Sequence, residues 1–188
     1  MKKLLICSII LLQILIFSAC NTNTNDSTNL ETNTTYSKED CFLAFVDSKI
    51  TMYIPNYYTQ TSSQYIDKFY IRDNVATIML TEDTNYSISN TDIDTYYNNA
   101  IQQYSNTFDE FNVISTQDVD YSFKGTGKIV EFSYTIYGKD EAKDMSCYAE
   151  YILLNNRTYI ITCSTTSDTY QTYRDDFVYA VSTITIND

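Results

Sequence analysis

Few side chains in this sequence could do chemistry, and the thiols and carboxylates come first. Among 188 residues there is no histidine, which excludes Ser-His-Asp and Cys-His catalysis, His-ligated zinc and axial-His haem. The five cysteines, Cys7, Cys20, Cys41, Cys147 and Cys163, contain no Cys-x-x-Cys pair, so a redox or thiolate-metal role has no motif behind it. Acidic clusters stand at Glu82-Asp83, Asp92/Asp94, Asp118/Asp120, Asp140-Glu141/Asp144 and Asp175-Asp176. Calcium needs about six to eight oxygens around a defined loop, and none of these stretches matches an EF-hand loop. Asp92 and Asp94 suit the first turn of a helix, and the other clusters read as solvated turns. Two carboxylates about 5 to 9 Å apart could hydrolyse a glycoside, but spacing along the chain does not say which pair converges. Ser164 lacks a base and a Gly-x-Ser-x-Gly elbow. Gly125-Thr126-Gly127-Lys128 is too short for a phosphate loop and reads as a hairpin turn. Tyrosine is the odd abundance: nineteen, with no tryptophan. Tyr57-Tyr58, Tyr96-Tyr97 and those of the last helix could line a carbohydrate-stacking or protein-binding face. Alternatively they fill the core with the ring buried and the hydroxyl wet.

The elements that must position these residues are legible from residue 41 onward. Stretches 42–46 and 49–54 form a hairpin around Asp47-Ser48, Pro55 ends the second strand, and 56–63 reads as a loop or short helical turn. Segments 65–71 and 75–81 form a second hairpin around Asp73-Asn74. Thr91 then caps a helix whose apolar stripe is Ile93, Tyr97, Ala100, Tyr104 and Phe108, with Tyr96 beside the stripe. Strands follow at 112–123 and 126–137, with Val130, Phe132, Tyr134 and Ile136 alternating with Glu131, Ser133 and Thr135. A polar turn leads to strands 145–154 and 157–165 around Asn155-Asn156. Ser167 caps a last helix carrying Tyr170, Tyr173, Phe177, Val181 and Ile184. If the Asn155-Asn156 loop has two residues, Cys147 faces Ser164, Cys163 faces Tyr148, and the thiols point to opposite sides of the sheet. A three-residue loop would set them opposite each other. About eight strands, mostly in consecutive hairpins, with two helices, predict an α+β fold: a mostly antiparallel sheet flanked by helices.

The beginning of the chain addresses location. Lys2 and Lys3 precede an apolar run at 4–17, whose fourteen helical residues would rise only about 21 Å, short of a membrane core. Length and charge fit a secretory signal peptide over residues 1–19. Phe17-Ser18-Ala19-Cys20 resembles the lipobox of bacterial lipoproteins, with Phe17 in place of the usual aliphatic residue. The resemblance implies cleavage before Cys20 and a diacylglycerol, with palmitate-type acyl chains, on its sulfur. Residues 20–40, rich in Asn and Thr, cannot bury enough apolar surface to offset their ordering entropy and read as a flexible tether. Removing residues 1–19 leaves 24 acidic against 10 basic side chains, which keeps the protein soluble, repels it from an anionic bilayer and disfavours nucleic acid.

Residues 41–188 then form one globular unit. Ile50-Thr51-Met52-Tyr53-Ile54-Pro55 followed by Tyr57 and Tyr58, with Tyr159-Ile160-Ile161-Thr162-Cys163-Ser164 followed by Tyr170, Phe177 and Ile184, resembles the Mog1/PsbP-like family. That resemblance implies an α/β/α sandwich used as a binding or assembly factor, and it carries no functional residue onto a position here. The expectation is a lipoprotein on the outer face of a Gram-positive cell membrane. It is anchored through Cys20 and acts without catalysis, metal or cofactor as a binding or assembly module for a protein or envelope ligand. The alternative is a carboxylate hydrolase acting on cell-wall or extracellular polymer.

Overall fold

The computed structural model describes residues 36–45, 48–62, 66, 68–83, 92–122, 124–138, 141–155 and 157–187. Residues 1–35, including the expected signal peptide, Cys20 and most of the tether, lie outside the described residues. Ten strands form two antiparallel sheets. The smaller sheet has the order β1 (Cys41–Phe45), β2 (Ile50–Pro55), β10 (Thr185–Ile186). The larger runs β3 (Thr59–Thr61), β4 (Lys68–Arg72), β5 (Ala76–Asp83), β9 (Arg157–Thr166), β8 (Ala142–Leu154), β7 (Thr126–Tyr137), β6 (Asp109–Asp120).

The turns follow from local chemistry. Asp73 and Asn74 both take positive φ, 54° and 59°, and Val75 N donates to Arg72 O, which makes a two-residue type I′ hairpin from residues that tolerate this region. Leu154 pairs with Arg157 across Asn155-Asn156, so the β8–β9 loop has two residues. Between β6 and β7, a Cβ on Gly125 would stand 2.6 Å from the Leu153 carbonyl oxygen, so only glycine fits there.

Helix α1 (Ile93–Thr107) covers one face of the large sheet. Its Tyr96, Ala100 and Tyr104 pack on Phe132, Tyr134, Met145, Cys147 and Tyr151. Helix α2 (Tyr170–Ser182) and the small sheet cover the other face, where Met52, Ile54, Tyr173, Phe177 and Val181 meet Ile78, Leu80, Ile152, Ile161 and Cys163. With both faces covered, the middle strands β5, β8 and β9 are buried almost throughout. The result is the expected α/β/α sandwich.

Several details differ from the sequence reading. The segment expected to be a loop after Pro55 contains the edge strand β3, three fully exposed residues with no burial pattern to betray them. The N-cap of α1 is Asp92, whose Oδ1 accepts from Thr95 N at 2.7 Å, and not Thr91. Tyr96 is the buried neighbour and Tyr97 the half-exposed one, because the Tyr96 hydroxyl reaches Asp83 at 2.9 Å and turns the helix that way. The N-cap position of α2 is Thr169, without a side-chain cap, while the Ser167 hydroxyl pairs instead with Ser146 at 2.8 Å. Ile184 lies beyond the end of α2, and the adjoining Thr185 and Ile186 add β10 to β2.

Candidate functional site

Where the chain enters the fold, tyrosines converge on one arginine. Arg72, last residue of β4, donates from Nη1 to Asp176 Oδ2 at 2.6 Å and from Nε to Asp73 Oδ2 at 3.2 Å. Its guanidinium lies between two rings, 4.7 Å from the Tyr57 centroid and 5.1 Å from that of Tyr173. Burial lowers the Arg72 pKa, but the Asp176 carboxylate and its hydrogen bond outweigh this and raise it. Tyr173 in turn donates to Asp73 Oδ2 at 3.0 Å. Tyr36 closes the cluster: its hydroxyl donates to Asp176 Oδ1, and its ring stands 4.8 Å from Tyr179 and 6.5 Å from Tyr57. Burial first, then Asp176, pushes the Tyr36 hydroxyl far up, so it stays a donor. Tyr53, with the Lys38 ammonium 5.1 Å above its ring, lies on β2 beside α2, where its backbone N donates to Thr183 Oγ1. Tyr57 is 51% exposed, while Tyr36, Tyr53 and Tyr179 are half-buried, so these rings form a face on the α2 and small-sheet side.

Two more carboxylates stand on the same side of the large sheet. Glu131 of β7 accepts from Tyr170 at 2.8 Å and from Arg174 Nε and Nη2 at 3.1 and 3.2 Å. Burial works against its charge, yet the bonds from Arg174 and Tyr170 hold its pKa below the usual carboxylate value. Glu150 of β8 is 1% exposed, its Oε1 accepts from Tyr121 at 2.6 Å, and its Oε2 has no partner. Burial raises its pKa to about 7 against the smaller opposing effect of Tyr121. Gly127 makes room for this pair, since a Cβ there would stand 2.5 Å from Glu150 Oε1.

The other expected site residues separate. Cys147 lies on the α1 face and Cys163 on the α2 face, opposite Ser164 and Tyr148 as the two-residue loop requires, and both are free thiols, as is the half-buried Cys41. Burial pushes the Cys147 thiol up to about 12 and raises Cys163 and Cys41 too, so none favours the thiolate needed for attack or metal binding. Asp94 and Asp118 both hold the Lys128 ammonium, at 2.6 and 2.7 Å, and Glu82 pairs with Arg157. Among the described residues no group of three or more His, Cys, Asp or Glu could hold a metal ion. The reading of Asp175-Asp176 and Glu82-Asp83 as solvated turns is corrected: Asp176 is 1% exposed beside Arg72, and Asp83 is buried on Tyr96. Tyr58 is also buried, leaving Tyr57 alone of that pair at the surface. Arg72, Glu131 and Glu150 escaped sequence reasoning as site residues. The signals available were an acid inside the apolar run of β8 and the position of Asp176, three residues after Tyr173 on the buried arc of α2.

This architecture is the Mog1/PsbP-like fold. The chain is similar to cyanobacterial PsbP (CyanoP) from Synechocystis, at TM-score 0.58 and 12% identity over 84% of this chain and 99% of that one. It is similar to LpqN of Mycobacterium tuberculosis, described as involved in cell envelope biogenesis (TM-score 0.52, 11% identity, 76% and 87%). It is also similar to the Saccharomyces cerevisiae Ran-binding protein Mog1p (TM-score 0.50, 10% identity, 74% and 91%). At such identities the likeness carries the fold alone. No family model matches the sequence, and no curated protein is similar to it in sequence. Among the described residues, no helix is long and apolar enough to cross a membrane.

Proposed function

We propose that this chain is a membrane-tethered extracytoplasmic lipoprotein whose folded part is a non-catalytic binding module, holding an envelope ligand on the tyrosine face around Arg72. The carrying observation is that face itself: an exposed Tyr57 ring stacked on a guanidinium that Asp176 holds in place. Exposed aromatics supply contact area at low entropic cost, and a fixed arginine beneath them keeps the surface rigid. Supporting the location are the signal-like residues 1–19 with Cys20, and the fold likeness to a protein involved in cell envelope biogenesis. Supporting the absence of catalysis are the missing histidine and the raised thiols.

Two results are expected. Replacing Cys20 with Ser should abolish incorporation of radiolabelled fatty acid, whereas unchanged labelling would defeat the anchor. The full chain should co-sediment with isolated cell envelopes, and Tyr57→Ala should reduce retention about tenfold, equivalent to about 1.4 kcal/mol. Equal retention of the variant would remove the tyrosine face from the proposal.

The alternative, a carboxylate hydrolase of envelope polymer, draws on one observation. Glu131 and Glu150 share a sheet face with pKa values displaced in opposite directions, the pattern of an acid paired with a carboxylate base. The arrangement fits structure better than turnover, since Glu131 is tied to Arg174 and Tyr170 and Glu150 is enclosed. Release of reducing ends from envelope polysaccharide, lost in Glu150→Gln, would reverse that preference.

A further inference from the structure

The tyrosine face already has an occupant. Tyr36 is the first described residue. Backbone hydrogen bonds of this end begin only at Ser37, whose carbonyl accepts from Asp40 N, so Tyr36 is held by its side chain. Its ring rests against Tyr179 and Tyr57, and its hydroxyl uses the one oxygen of Asp176 that Arg72 does not take. We propose that Tyr36 is a built-in plug in a saccharide-binding subsite. A pyranose ring would take its place, with a C–H face on Tyr57 and Tyr179 and a hydroxyl donating to Asp176 Oδ1.

The chemistry of the site selects this ligand class. Asp176 Oδ1 needs a donor, which a sugar hydroxyl supplies as the Tyr36 phenol does. Arg72 is matched by two carboxylates, Asp73 and Asp176, so a phosphate or carboxylate ligand would meet repulsion instead of an unpaired cation. A neutral ring bearing hydroxyls meets none. Beyond Tyr36, the half-buried Tyr179 and Tyr53 extend the aromatic surface from Tyr57, which suits a chain of rings better than one. The plug sits at the junction with residues 20–35, so anything that draws on that segment also draws on the plug. Its removal converts a partly competent population into a fully competent one.

This inference rests on the tyrosine face being the binding face, and its test separates the two. Full-length chain in detergent, wild type and Tyr36→Ala, is titrated with β-linked hexose and N-acetylhexosamine tetrasaccharides, read by tyrosine fluorescence and calorimetry. The expected result is binding of at least one tetrasaccharide by Tyr36→Ala about tenfold tighter than by wild type, corresponding to a plug docked about nine-tenths of the time. Tyr57→Ala added to Tyr36→Ala should abolish it while leaving the urea midpoint of Tyr36→Ala unchanged. Equal or weaker binding by Tyr36→Ala overturns the plug, and no binding of any tetrasaccharide overturns the saccharide assignment. Capture of a tyrosyl peptide in place of every sugar would likewise overturn it and give the site to a protein partner. If envelope co-sedimentation still depends on Tyr57 in those cases, the binding-face reading stands without the inference; if it does not, both fall.

Discussion

Replacing Arg72 with Met is expected to cost about 3–5 kcal/mol of stability at pH 7.5, read as a fall in the urea midpoint at unchanged slope. The reason is what remains, not what leaves. Asp176 is enclosed on α2, with Oδ2 bonded to Arg72 and Oδ1 to Tyr36. Without the guanidinium, the carboxylate keeps one hydroxyl donor and no cation in a place water does not reach. The loss of the two cation–π contacts, on Tyr57 and Tyr173, adds about 1 kcal/mol at a partly exposed site. Asp73, on the solvent side of the same guanidinium, should matter little, since exposed pairs contribute about 0–1 kcal/mol. Protonating Asp176 removes the buried charge, so the deficit of the variant should shrink between pH 7.5 and pH 4. The double replacement Arg72→Met with Asp176→Leu should recover most of the stability, because a matched apolar pair avoids both desolvation costs. A double variant as unstable as the single at both pH values would mean that packing around Tyr57 and Tyr173, and not the stranded charge, carries the effect.

The cluster around Arg72 also shows what a sequence can and cannot reveal. The sandwich was readable because its cues are local: alternation in β7, Asp73-Asn74 and Asn155-Asn156 at tight turns, and an apolar stripe on each helix. Even the opposite facing of Cys147 and Cys163 follows from loop length and a two-residue period. What escaped depends on partners far along the chain. Thr185 and Ile186 become a strand only because Ile50 and Thr51 present a free edge, and Thr59–Thr61 only because β4 does. Tyr96 displaces Tyr97 from the core through its bond to Asp83. Asp176 looked solvated because an acid usually is, and its burial requires an arginine 104 residues earlier. Thus elements were legible while the site was not: its charge pairs and stacked rings unite β4, α2 and the loop after β2. The tyrosine abundance divides along the same line. Nine tyrosines fill the two principal cores, and the few at the surface are the ones that stack on one another and on cations.

The second large effect lies in the pH dependence of folding, and it comes from Glu150. Its pKa is about 7 in the folded chain against an ordinary 4.5, so between these values the native state holds a proton the unfolded state has lost. Stability therefore falls as pH rises from about 4.5 to about 7 and stays at the lower level above, a loss of about 3 kcal/mol from this group. Glu131 acts with the opposite sign: its pKa is lowered, so its contribution is present above the ordinary carboxylate value and lost as pH falls below it. Together they predict greatest stability in mildly acid solution, between the loss of the Glu131–Arg174 pair and the ionisation of Glu150. Glu150→Gln tests the assignment. The amide keeps an acceptor for the Tyr121 hydroxyl and cannot ionise, so the variant should be about 2–3 kcal/mol more stable than wild type at pH 8. Near pH 5, where wild-type Glu150 is protonated, the two should be nearly equal or the variant slightly weaker. A pH profile in Glu150→Gln parallel to that of wild type would show that the carboxyl is solvated and not enclosed beneath Tyr121. Such a result would also end the case for Glu150 as an acid poised for hydrolysis, because desolvation is the only thing in this fold that raises it.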